Sequence, residues 1–198
     1  MTDRYCGKCG SPLTTKLEGG RERPACPACG HIVFGRFSVG VGGLLIHEGQ
    51  VLLVQRAHDP GKGRWTIPGG YVEEDEEPDK ALEREVMEET GLKVRARGIL
   101  AIRHTPTKDA QNLYIVFDLA LASPAADVKT NGDGKETSRA GFYAPDALAT
   151  LGEMGKISKW IAEQCRAEQG ALQRMPPAIE DSLRYGPGWL ALFAAPRR

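Results

Sequence analysis

Net charge is the first thing this chain lacks: 26 Lys and Arg side chains balance 26 Asp and Glu across 198 residues. That balance excludes an overall electrostatic bias toward nucleic acid or a lipid surface. No apolar run of transmembrane length and no signal peptide are recognisable, so no membrane partner is expected and cytoplasmic residence is the simplest expectation. No internal repeat is present, which excludes a solenoid. Cysteine is scarce, five residues in all, yet four of the five stand in two close pairs. Hydrophobic residues at 41% and charged residues at 26% are the proportions of a soluble globular protein, and 198 residues suit one main domain plus a small module.

The charge that is present is placed unevenly. Residues 73–92 hold ten acidic side chains and two basic ones, Lys80 and Arg84. Residues 78–90 lack internal Gly and Pro, Pro78 suits a first helical turn, and Gly91 suits a C-terminal stop, so a helix is expected there. On such a helix Glu85, Glu88 and Glu89 stand at i, i+3 and i+4 and share one face. Ala81, Leu82 and Val86 flank that face, so the carboxylates interrupt the apolar arc instead of lying opposite it. Like charges at these spacings repel by a few tenths of a kcal/mol per pair in water, roughly, and by more where solvent is excluded. A hard divalent cation resolves the conflict, and oxygen ligands of this kind suit Mg²⁺ or Mn²⁺. Arg84 is four positions from Glu88 and is expected to pair with it and fix the carboxylate array. Gly69 and Gly70 end a strand-like Trp65–Pro68 and leave room for backbone to approach a metal or a phosphate.

A second motif lies near the N-terminus. Cys6-x-x-Cys9 and Cys26-x-x-Cys29 are separated by sixteen residues, and Gly10 and Gly30 follow the two pairs. Such spacing points to a four-cysteine zinc site; two disulfides are the competing arrangement. Four thiolates leave no open position, so the zinc would be structural, not catalytic. The segment is too short to build a core, and metal binding would supply most of its stability. Six basic side chains in residues 1–36 oppose three acidic ones, a small electrostatic footprint with few aromatics between. Nucleic acid is therefore not expected as a partner, and a scaffold or homodimer contact is. His31 is expected to be an ordinary strand residue, and Cys165 a small buried hydrophobe.

Along the chain a ribbon is expected over 1–36, with strands near Leu13–Glu18 and Ile32–Phe34. Val39–Ile46 and Val51–Gln55 read as a hairpin, Val94–Ile102 and Leu113–Leu121 as strands, Thr130–Glu136 as a loop and Ala140–Tyr143 as a strand. Pro145 begins a short helical stretch and Ile157–Gln169 reads as an amphipathic helix. The main domain is thus set at 37–170. Residues 171–198 form a tail with Pro, Gly and an apolar Trp189–Phe193 patch.

From Gly70 the chain reads Gly, five residues, Glu76, seven residues, then Arg84-Glu-Val-x-Glu-Glu-x-Gly-Leu92. This resembles the Nudix box, the signature of hydrolases acting on nucleoside diphosphates linked to another group. The resemblance implies an α/β/α sandwich with a mixed sheet over about 37–170 and a metal-activated water attacking a bridging diphosphate. It implies Glu85 and Glu89 as metal ligands, Glu88 as a third ligand or the base, and the Gly70 carbonyl as a further ligand. Glu136 is another base candidate or a solvated loop residue. Arg56 and Arg64 are candidates for phosphate contacts, Tyr114 for stacking on a base, and Trp65 for the core. An added zinc ribbon is similar to two branches, the NADH pyrophosphatases and a group related to FAD and ADP-ribose pyrophosphatases. The NADH branch carries a Ser-Gln-Pro-Trp-Pro-Phe-Pro run after its box, whereas residues 101–110 here read Ala-Ile-Arg-His-Thr-Pro-Thr-Lys-Asp-Ala. The resemblance therefore implies FAD or ADP-ribose before NADH, with a nucleotide-binding regulator as another alternative.

Overall fold

The computed structural model describes residues 4–106, 111–129, 131–144, 147, 150–156, 158 and 159, and the strand segments 173–174 and 191–194. At its start, β1 (Thr14–Glu18) and β2 (Arg21–Ala25) form an antiparallel hairpin. Its two-residue turn, Gly19-Gly20, has φ of +58° and +74°, the positive values that the favoured hairpin turn demands at both positions. The second ribbon strand was expected at Ile32–Phe34. That segment instead offers a single bridge, Ile32 to Ala25, and the Gly-Gly pair was the signal for the true partner.

In the main domain β3 (Phe37–His47) and β4 (Gln50–Arg56) form a hairpin that pairs only at its turn, through Ile46 with Val51 and His47 with Gln50. Beyond that point the strands part and enter different neighbourhoods. β4 pairs with β5 (Trp65–Thr66) and with β8 (Thr137–Tyr143). β3 runs parallel to β7 (Gln111–Leu121), which pairs antiparallel with β6 (Val94–Pro106). The tail, which carried no strand expectation, adds β9 (Gln173–Arg174) and β10 (Ala191–Ala194) beyond β6. A mixed sheet results. The edge of β3 that β4 leaves is occupied by residues 68–72. Gly43 N–H donates to Pro68 O (3.0 Å), Val41 N–H to Gly70 O (2.8 Å), and Val72 N–H to Val39 O (2.9 Å). This wedge brings Gly69 and Gly70 to the mouth between the two halves of the sheet.

Alternation along the strands builds two cores. One face carries Val41, Leu45, Phe117 and Leu119 and packs on Ala81, Leu82 and Val86 of α1 (Pro78–Thr90). The other carries Leu44, Val116, Leu100 and Trp65 with Val51 and Leu53. Residues 40–45 of β3 are buried between the two layers, which is why they are all apolar or glycine. Gly43 lies under Leu119 and Leu82, where a Cβ would collide with the Leu119 side chain. Gly43→Ala is expected to cost about 1–3 kcal/mol of stability by overpacking, read as a lower denaturation midpoint at unchanged slope.

The helix starts with Pro78 in its first turn and ends at Gly91, whose φ is 75° and whose N–H caps Met87 O. β8 begins at Thr137, three residues earlier than expected, because pairing with β4 extends to Arg56. The expected helix at Ile157–Gln169 lies almost wholly outside the described residues, as do Cys165, Pro145 and Thr130. Among the described residues no helix is long and apolar enough to cross a membrane.

Candidate metal and substrate site

The polar face of α1 meets the Gly69–Gly70 wedge. Glu85 and Glu89 are 8% and 6% exposed, so two carboxylates of one helix are held almost out of water beside each other. The Gly69 N–H donates to Glu89 Oε2 at 2.9 Å. A side chain at Gly70 has no room, since its Cβ would collide with the Glu85 carboxylate. Burial pushes the Glu89 carboxyl up to about 8; the Gly69 N–H opposes this, while the charges of Glu85 and Glu136 add to it. Burial likewise raises Glu85, against the pull of Arg84. Two buried carboxylates with so little positive compensation are a donor set that a hard dication fits. The Gly70 carbonyl accepts Val41 N–H at 2.8 Å and keeps a second lone pair.

Arg84 organises the approach to this pair. It forks onto Glu76, with Nε to Oε2 at 3.0 Å and Nη2 to Oε1 at 2.7 Å. It also reaches Glu85 Oε1 (3.0 Å), Glu88 Oε2 (3.2 Å) and the Tyr71 carbonyl (3.3 Å). The expected Arg84–Glu88 pair is present, but the bidentate partner is Glu76, which holds the guanidinium between the wedge and the helix. Arg84 holds the Glu76 carboxyl down, at about 2. Glu76 occupies a fixed position of the box pattern, and its spacing was legible although its role was not. Glu88, expected beside Glu85 and Glu89, is exposed and is not among the residues that line the cleft.

A cleft of about 380 Å³ opens over the carboxylates, lined by Arg56, His58, Thr66, Gly69, Gly70, Tyr71, Glu73, Glu85, Glu89 and Glu136. Arg56 and Glu136, candidates by sequence, thus share one cleft with Glu85 and Glu89. Arg56 is steadied by donating its Nε to Pro60 O at 3.0 Å. Arg64 does not line the cleft; it pairs with Glu153 at 2.7 Å. Tyr114 does not line the cleft; it packs beside Gly40 and Gly42 against the core cluster, with the Arg103 guanidinium 4.7 Å from its ring centre. Burial raises its hydroxyl to about 12. Trp65 is core, edge-on to Tyr143. His58, Thr66, Tyr71 and Glu73 carried no sequence signal of their own, because only the folding of β4 and the wedge brings them to the mouth.

In the ribbon, Cys6 and Cys29 sulfurs lie 3.7 Å apart and those of Cys9 and Cys26 3.5 Å, and all four fall within 4.8 Å of one another. Zinc–thiolate bonds of about 2.3 Å in a tetrahedron require sulfur separations of about 3.8 Å, so this cluster fits zinc and not two disulfides. The two knuckles repeat each other: Gly10 N–H donates to Cys6 O and Cys6 N–H to Ser11 O, as Gly30 does to Cys26 and Cys26 to His31. His31 is exposed and stands outside the ligand cluster.

The architecture is thus a mixed sheet with an acidic helix at its split edge, preceded by a four-thiolate ribbon. Residues 36–164 match the NUDIX domain family and residues 4–34 match its Nudix N-terminal zinc ribbon family. The chain belongs to the Nudix family. It is 32% identical over 99 residues to an ADP-ribose pyrophosphatase of Methanocaldococcus jannaschii, covering 50% of this chain and 59% of that protein. It is 33% identical over 160 residues to an NAD-capped RNA hydrolase NudC of Stutzerimonas stutzeri, covering 81% of this chain and 55% of that one. The chain thus spans somewhat over half the length of these curated relatives. A Nudix hydrolase structure from Nitrosomonas europaea superimposes with a TM-score of 0.60 at 27% identity, covering 72% of this chain and 78% of that one.

Proposed function

We propose that this protein is a pyrophosphohydrolase dependent on Mg²⁺ or Mn²⁺ that cleaves the diphosphate of a nucleotide linked to another group. ADP-ribose and FAD are the favoured substrates, giving AMP with ribose phosphate or FMN. The observation that carries the reading is the pair of buried carboxylates, Glu85 and Glu89, on the floor of a cleft whose wall holds Arg56. Glu85, Glu89 and the Gly70 carbonyl would hold the metal, with Glu88 as a third carboxylate ligand. The bound ion would neutralise diphosphate oxygens and lower the pKa of a water. Arg56 orients the diphosphate, Arg84 keeps the helix carboxylates in register, and Glu136 accepts the water's proton at the cleft rim. The absence of the Ser-Gln-Pro-Trp-Pro-Phe-Pro run supports this ranking over NADH; residues 107–110 of that region lie outside the described residues.

The second reading is the NADH or NAD-cap type, favoured by the match to NudC across most of the chain. The organisation we propose is a ribbon at 1–36, a hydrolase domain at 37–170 and a tail at 171–198 that lends strands to its sheet. The ribbon acts as a scaffold or homodimer contact, and nucleic acid is not a partner. Cytoplasmic residence belongs to the proposal, because four thiolates kept for a metal need a reducing compartment.

Purified protein offered ADP-ribose, FAD and NADH with Mg²⁺ or Mn²⁺ in isotopically labelled water tests this directly. The expected result is cleavage between the phosphates, with label in one product only. NADH preferred tenfold or more, about 1.4 kcal/mol of transition-state discrimination, would reverse the ranking. Nucleotide binding without turnover under any divalent ion would replace it with the regulator.

A further inference from the structure

Glu136 is an exposed loop residue, yet it lines the same cleft as Glu85 and Glu89. It faces two buried carboxylates, and its charge adds to the forces that raise both Glu85 and Glu89. It is itself exposed, with open solvent as an alternative. An exposed loop side chain keeps one place in a cleft only where its backbone is fixed.

The loop leading into β8 supplies the restraint. Asp133 Oδ1 accepts the N–H groups of Lys135 (3.0 Å), Glu136 (3.0 Å) and Thr137 (2.8 Å) and lies 3.1 Å from the Thr137 hydroxyl. Asp133 Oδ2 takes a second share of the Glu136 N–H at 3.2 Å. At the other end of the residue, the Glu136 carbonyl accepts Ala57 N–H at 2.8 Å. Both backbone groups of Glu136 are therefore tied, one to Asp133 and one to the end of β4. The clasp is anchored on the metal helix as well. Thr137 is 1% exposed, and its hydroxyl lies 3.4 Å from the Glu89 carbonyl, while Lys129 N–H donates to Thr90 O at 2.7 Å. Burial pushes the Asp133 carboxyl up, and the N–H groups of Thr137, Lys135 and Glu136 outweigh it, so that it stays ionised.

We propose that Asp133 is a positioning residue that holds Glu136 over Glu85 and Glu89 by clamping residues 135–137 to the C-terminal end of α1. This rests on the diphosphate-hydrolase reading above. Asp133 touches no substrate; it acts through Glu136. The choice of Asp follows from the donor count, since one carboxylate oxygen receives several donors at once, a task suited to an anion.

The experiment is a double-mutant cycle on Asp133 and Glu136, with ADP-ribose hydrolysis as readout. Glu136→Gln is expected to lower kcat by roughly 10²- to 10⁴-fold, the usual share of a general base. Asp133→Ala should lower kcat roughly 10- to 100-fold with KM nearly unchanged, as misplacement of a catalytic group does. Asp133→Asn keeps one accepting oxygen but loses the charge and the second oxygen, so its kcat should fall between those of wild type and Asp133→Ala. In the double variant Asp133→Ala should add nothing to Glu136→Gln, because there is no longer a base to position. Hydrogen exchange should show the amides of residues 135–137 losing protection in Asp133→Ala while β4 keeps its own. Losses that multiply in the double variant, or wild-type kcat in Asp133→Ala, overturn the inference while leaving the hydrolase reading intact. A fully active Glu136→Gln overturns it too. A wild-type protein that hydrolyses no diphosphate removes the parent reading and this inference together.

Discussion

Glu89→Gln and Glu85→Gln are each expected to lower kcat/KM by roughly 10²- to 10⁴-fold, the several kcal/mol of charge stabilisation that a misheld metal forfeits. Both variants should stay folded, because the change is isosteric and Gln retains an oxygen to accept the Gly69 N–H now bonded to Glu89. Without added divalent ion they should be more stable than the parent, and the pH dependence gives the sign. The folded-state pKa of Glu89 is raised from 4.5 to about 8, so the folded protein holds this proton more tightly than the unfolded chain. Glu89's contribution to stability is therefore greatest below about 4.5 and is lost as pH rises toward about 8. The Tm gap between Glu89→Gln and the parent, measured with Mg²⁺ omitted, should open between about pH 5 and about pH 9 and close when Mg²⁺ is added. Wild-type turnover in either variant at saturating Mg²⁺ would refute the metal assignment.

Replacing Cys26 with Ser should release zinc and unfold the ribbon. Cys26 is buried, and its backbone N–H and C=O both serve the second knuckle, bonding His31 and Gly30. Among the described residues 4–34 the buried apolar side chains are Cys6, Ala25 and Cys26, too few to hold that segment without metal. A structural zinc contributes on the order of 10 kcal/mol, so loss of one thiolate leaves little to oppose chain entropy. One zinc per parent chain by elemental analysis, none in the variant, and new proteolytic cuts within 1–36 are the expected results. Two disulfides mapped in metal-retaining parent protein would sink the claim.

What was legible in the sequence follows from spacing within single elements. The helix at 78–90 was fixed by Pro78, Gly91 and the periodicity between them, and its carboxylates could be placed on one face before any fold was known. The cysteine pairs were equally plain, because a tetrahedral site needs only two knuckles and a link. The hairpin β3–β4 and the strands β6 and β7 were visible as apolar runs. The ribbon hairpin was misplaced, since its exposed strands carry no apolar alternation and only Gly19-Gly20 marks the turn. β9 and β10 were missed because short strands at a sheet edge depend on the neighbour they pair with.

Local pattern alone, then, determined which residues could bind metal: Glu85, Glu88 and Glu89 on a helix turn, and four cysteines in two knuckles. Tertiary structure decided which of those carboxylates lose their water. It buried Glu85 and Glu89 against Gly69 and Gly70 and left Glu88 exposed. It gave Arg84 the distant Glu76 as its forked partner, drew Arg56 into the cleft, and turned Arg64 away toward Glu153. The physical reason is desolvation. A carboxylate's pKa and its appetite for a cation depend on what covers it, and the cover here comes from the residues 68–72 wedge and the loop before β8, both far from the neighbours that sequence spacing can count.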